Sequence, residues 1–155
     1  MTRSEDSSFG SQAGHPFEPV GATDPRDLTW PLYGATFGQS VSRFFRSYAN
    51  FSGRASRSEY WWAQLALAVA ALLCVAFVAA SGDDGALGRM SLVPVVVFTL
   101  VCLVPAWALL VRRLHDADLS GWMSLLTLLP YIGFLLQIIF GILRPKPLGE
   151  RFDRR

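Results

Sequence analysis

Charge is what this sequence withholds over its longest stretches: residues 60–80, 90–111 and 122–143 contain no Asp, Glu, Lys or Arg. In a chain that is 52% hydrophobic with mean hydropathy +0.33, such runs argue against an ordinary soluble domain. Cysteine is nearly missing. Cys74 and Cys102 fall near the middle of two of the runs, where they are expected to pack as small hydrophobes rather than build a disulfide framework or a thiolate metal site. Histidine is equally scarce, with His115 alone outside the N-terminal tail. No H-E-x-x-H or nucleophile motif accompanies it, so no cofactor and no metal is expected. A net charge of +2 without zinc-finger, helix-turn-helix or aromatic-basic motifs gives no reason to expect a nucleic-acid partner. Strand-length alternation is lacking, which disfavours a membrane barrel. The first twenty residues have no apolar core of the kind that marks a signal peptide, so the first apolar run is expected to be retained.

At 1.5 Å of rise per residue, each uncharged run spans roughly 30 Å, the thickness of a hydrocarbon core. Helices satisfy their own backbone groups in lipid, so the expected fold is all-α, a polytopic helical membrane protein with about three membrane segments. Residues 1–28 are rich in Ser, Gly, Pro and acidic side chains and read as a disordered tail. The membrane domain then covers 29–152, and 153–155 end the chain. "WPLY" at 30–33 is the first expected membrane anchor. Phe37, Val41, Phe44, Phe45 and Tyr48 follow at helical spacing, with Gln39, Arg43, Arg46 and Ser47 between them. This predicts an interfacial amphipathic helix over 36–50, lying on an anionic membrane surface or packed on the protein's own helices. Thr36 with Gln39, and Ser56 with Glu59, have capping-box spacing and predict helix starts near 37 and 57. Tyr60, Trp61, Trp62 and Trp122 stand where membrane-interface anchors are expected. Ala66, Ala70, Ala76 and Ala80 have the spacing that allows a close helix neighbour, and Pro105 is expected to bend the second segment.

The third segment carries Pro130 and Gly133 at its centre. A full crossing is the simpler geometry for 22 residues; a broken, re-entrant path is the alternative. The positive-inside rule separates the two. Full crossings divide the twelve basic residues from Arg43 onward equally between the two sides, whereas a re-entrant segment gathers eleven on one side and leaves Arg89 on the other. In either case the first loop is nearly free of basic residues, which places the N-terminus inside and makes this a multi-pass protein of the cell (cytoplasmic, inner) membrane.

Two charged stretches flank the runs, "SGRASRSEYWW" at 52–62 and "VRRLHDADLSGWM" at 111–123. An antiparallel pair of helices brings them to one face. Arg54, Arg57 and Glu59 are then expected beside Arg112, Arg113, His115 and Asp116, with Glu59 paired to Arg112 or Arg113, and with Asp116 orienting His115 or paired to an arginine one turn back. Counting four arginines against Glu59, Asp116 and Asp118 leaves one positive charge, which suits an anionic lipid headgroup or a partner's acidic segment. A network that only fixes topology is the alternative.

Together, G-R-x-x-R-x-E-Y-W and R-R-L-H-D-x-x-x-S-G-W resemble the bacterial inner-membrane family known as domain of unknown function 805. They are carried here by Gly53, Arg54, Arg57, Glu59, Tyr60, Trp61 and by Arg112, Arg113, Leu114, His115, Asp116, Ser120, Gly121, Trp122, and the likeness runs over roughly 40–152. Members typically close with N-R-Y/F-G; here Arg151 and Phe152 are kept, with Glu150 and Asp153 in place of Asn and Gly. The resemblance implies a small polytopic membrane protein and brings no established activity. Three functional classes follow. An interaction or scaffold protein would bind anionic lipid or a membrane partner through the charged cluster. A transporter or channel component would form a homo-oligomeric pore lined by Gln137. An enzyme would use His115 with Asp116 and Asp118, but Arg112 and Arg113 beside them oppose a cation.

Overall fold

The computed structural model describes residues 21–82 and 86–153, with the side chains of 86–89 excepted. The first twenty residues, read above as a disordered tail, lie outside the described residues. Residues 21–28, assigned to the same tail, are held in place: Ala22 N–H donates to the Pro31 carbonyl at 2.8 Å, and Arg43 donates to the carbonyls of Pro25 and Asp27. The "WPLY" stretch is likewise packed on the protein: Pro31 and Leu32 are buried and Tyr33 is bonded to Asp116.

Four α-helices and two 3-10 segments make up the described chain, with no strand among the described residues. Helix α1 (Phe37–Arg46) starts at Thr36, whose side chain accepts from Gln39 N–H while the Gln39 side chain accepts from Thr36 N–H. It packs against the start of α2 (Arg57–Ala80): Phe44 enters a core with Ala55, Tyr60, Ala63, Leu109, Leu110, Leu114 and Phe140. Phe37, Phe45 and Tyr48 stay exposed on the same helix and its exit. The helix is packed on the protein's own helices, with Ala66 and Ala70 of α2 facing it across a small apolar cleft shared with Phe98 and Cys102.

Helix α3 (Ala86–Asp116) runs antiparallel to α2, and both are long and apolar enough to cross a bilayer. Their outward residues, among them Leu72, Leu73, Val75, Phe77, Leu92, Val96 and Val97, are exposed, as lipid-facing side chains are. Both cysteines are free. α3 continues through Pro94 and Pro105. Proline has no N–H for the carbonyl four residues back; for Pro105 that carbonyl is Val101, and the Tyr48 hydroxyl donates to it at 2.7 Å.

The third apolar segment does not cross. A 3-10 helix (Gly121–Leu128) leads to a reversal at Pro130 and Tyr131, the latter at φ +69°, and α4 (Gly133–Ile142) returns. Gly121 lies against Val111 and His115, while Gly141 lies against Tyr60 and Trp61, so the segment starts and finishes at one end of the α2–α3 pair. Leu143 O accepts from Arg57 and Arg113 there, and Lys146 N–H donates to Asp116 O. A Cβ on Gly133 would fall 2.0 Å from the Thr127 carbonyl oxygen, so only glycine permits the reversal. At its deepest, Thr127 and Leu128 share a cavity with Leu103, ten residues above Arg113, roughly 15 Å down and about half of the hydrocarbon core. The simpler expectation of a full crossing is thus corrected. Pro130 weakens a uniform helix without forbidding one, as α3 shows; here the chain reverses, and the two short arms bury Ser124 and Phe140 against the other helices.

Candidate functional site

At the end where all these elements meet, charged side chains are packed inside the protein. Arg43, Arg54, Glu59, Arg112, Arg113 and Asp116 are each no more than 3% exposed. Burial of this kind is tolerated only when each charge finds a partner and further hydrogen bonds. Glu59 supplies the clearest case. One carboxylate oxygen accepts from Arg43 Nε, and the other from Ser56 N–H at 2.8 Å and Leu32 N–H at 3.2 Å. Arg43 spends its remaining donors on the carbonyls of Pro25, Asp27 and Trp30. The pair therefore ties the segment before α1 to the first turn of α2.

Asp116 is the second centre. It pairs with Arg113 one turn back and accepts from the Tyr33 hydroxyl at 2.8 Å. Burial, and then the neighbouring Asp116 carboxylate, raise the Tyr33 phenol above its usual range, so it stays protonated and donating. Arg113 also reaches the carbonyls of Ala55, Gly141 and Leu143, capping the C-terminal end of α4 where carbonyls have no helical partner.

The third centre is the chain's end. Arg54 grips Asp153 with two parallel bonds, Nε to Oδ1 at 2.7 Å and Nη2 to Oδ2 at 2.6 Å. Phe152 stacks on His115 with centroids 4.0 Å apart and planes 5° from parallel, and exposed Arg151 pairs with Asp118 at 2.9 Å. His115 Nδ1 donates to the Gly53 carbonyl at 3.1 Å, while Gly53 N–H donates to Phe152 O at 2.9 Å. Gly53 stands at φ +87°, a conformation that favours glycine. Gly149 lies so close to His115 O that a Cβ would fall 2.5 Å away.

The structure brings Arg54, Arg57, Glu59, Arg112, Arg113, His115 and Asp116 to one end, but pairs them differently from expectation. Glu59 binds Arg43, not Arg112 or Arg113, because docking of α1 turns Arg43 inward rather than toward the membrane surface. Asp116 binds Arg113 and leaves His115 to be oriented by Gly53. The count of one surplus charge omitted Arg43 and Asp153, both of which belong to the cluster. Tyr60 is 1% exposed and donates to the Gln137 carbonyl at 3.1 Å, so it is a core residue; Trp61, Trp62 and Trp122 remain exposed at 41%, 40% and 79%. Gln137 faces Gln64 and Tyr60 within the same chain. Sequence reasoning passed over Arg43, Tyr33 and Asp153. A signal existed only for the last, which stands where the resemblance implies a glycine.

Two antiparallel spanning helices, a re-entrant segment and a knot of buried ion pairs at one end define a small helical integral membrane protein. The chain belongs to the family described as "Protein of unknown function (DUF805)", whose model matches residues 48–154. Inner membrane protein YhaH of Escherichia coli (strain K12) is 34% identical over 110 residues, covering 71% of this chain and 89% of that protein. Inner membrane protein YhaI of the same organism is 36% identical over 95 residues, covering 61% and 75%. No solved structure matches the chain. The protein is an inner-membrane protein.

Proposed function

We propose that this is a non-enzymatic interaction protein whose buried cluster builds a rigid platform on the cytoplasmic face, and whose surrounding cations hold anionic phospholipid headgroups. The observation that carries this reading is a division of labour among the basic residues. Arg43, Arg54 and Arg113 are consumed by carboxylates inside the protein. Arg46, Arg57, Arg144 and Lys146 form no ion pair among the described residues, and all but half-buried Arg57 are exposed. Such cations next to a membrane surface contribute on the order of 1 kcal/mol each toward anionic lipid.

The test is the lipid that leaves the membrane with the protein. Protein carrying Arg46→Gln, Arg144→Gln and Lys146→Gln should accumulate normally, because none of the three supports the core. It should co-purify with less phosphatidylglycerol relative to phosphatidylethanolamine, read by mass spectrometry. An unchanged ratio refutes the headgroup reading. Loss of a stoichiometric acidic protein in place of lipid would reassign the same surface to a membrane partner.

A further inference from the structure

Between α2 and α4 lies a cavity of about 560 Å³, lined by apolar side chains that include Trp61, Leu65, Ala68, Ala71 and Phe134. Two carboxamides interrupt this wall. Gln64 Nε2 donates to the Tyr60 hydroxyl at 3.1 Å and approaches Gln137 Oε1 at 3.5 Å. No hydrogen bond among the described residues engages the Gln64 carbonyl oxygen or the Gln137 amide nitrogen, and both residues line the cavity. An amide left unsatisfied at lipid depth is costly, and water is scarce there.

We infer that the cleft holds one acyl chain of a glycerolipid, with the chain's ester carbonyl accepting from Gln137. Three features select this occupant. From Gln64, at the ester's level, to Ala71 the cleft runs seven residues further, roughly 10 Å, which holds the upper part of a chain within one leaflet. Gln64 lies seven residues into α2 from Arg57, roughly 10 Å inward, which separates an ester-binding amide from a cation at headgroup level. Arg57, Tyr60 or Trp61, Gln64, Ala68 and Ala71 follow helical spacing, so cation, amide and chain-binding wall share one face of α2. The re-entrant path creates the space: α4 is only ten residues long and ends its cover of α2 near Phe134.

The inference rests on the headgroup reading only through Arg57, and its test addresses the chain and the ester. Purified, delipidated full-length protein is titrated with dioleoyl phosphatidylglycerol and with its diether analogue, and bound lipid is counted by native mass spectrometry. One diacyl lipid should be retained, and the diether form should bind roughly three- to ten-fold more weakly, the loss expected for one hydrogen-bond acceptor. Ala68→Trp, at an exposed position of α2, should fill the cleft and abolish this retention while the protein stays monodisperse; Gln137→Leu should erase the ester preference. Equal binding of both lipids, or retention that survives Ala68→Trp, overturns the inference. The headgroup reading fails separately, when the Arg46, Arg144 and Lys146 variant keeps its anionic preference.

Discussion

Arg43 donates through all three of its guanidinium nitrogens and is 3% exposed, so no other side chain can take its place without leaving Glu59 buried and uncompensated. Arg43→Met or Glu59→Met should each lower stability by about 3–5 kcal/mol, measured by denaturant unfolding in mixed micelles, with the double variant losing much less than the sum. The Arg43–Glu59 cycle should give a coupling on the order of 1–3 kcal/mol, and the Arg112–Glu59 cycle under about 0.5 kcal/mol. The reverse ordering would restore the pairing expected from the motifs. That expectation failed for a physical reason. The S-x-x-E box that places Glu59 in the first turn of α2 is local and readable from Ser56 alone, and so is the i, i+3 pair of Arg113 and Asp116. The partner of Glu59 depends on how α1 docks, and amphipathic spacing does not say which side of Arg43 faces inward.

Among the elements, α3 shows how a spanning helix tolerates proline. Tyr48, on the exit from α1, satisfies the Val101 carbonyl that Pro105 leaves without an N–H. Tyr48→Phe should therefore cost about 0.5–1.5 kcal/mol, the net worth of one hydrogen bond at a site not buried by the protein. Pro105→Ala, which returns an N–H to that carbonyl, should make Tyr48→Phe nearly neutral in the same unfolding assay. An undiminished penalty in the Pro105→Ala background would show that Tyr48 acts by packing. The periodicity of α1 and the length of α2 and α3 were legible because both follow from local hydrophobic pattern. The link between Tyr48 and Val101 was not, since it joins residues 53 positions apart through a rotation of α1 that no pattern encodes.

At the scale of the molecule, the two halves of the bilayer receive different amounts of protein. The charged end gathers α1, the 3-10 segment, α4 and the chain's tail around α2 and α3, while in the opposite half only α2 and α3 continue among the described residues. This wedge follows from one break. Pro130 and Gly133 were visible in the sequence as a weak point in the third apolar run, but its length suited a crossing equally well, and only the contacts of Gly121, Gly141 and Leu143 decide between them. The return also bears on the charge count, because among the described residues it gathers Arg43, Arg46, Arg54, Arg57, Arg112, Arg113, Arg144, Lys146 and Arg151 at one end. The positive-inside rule predicts that this end faces the cytoplasm. Compartment-sensitive reporters fused after Gly82, Ala117 and Arg155 should then read external, cytoplasmic and cytoplasmic. External activity after Arg155 alone would mean that the third segment crosses in the cell, in which case Leu143 could not cap against Arg57 and Arg113 and the folded end described here would not form. Opposite signals at all three sites would keep the fold and invert it in the membrane.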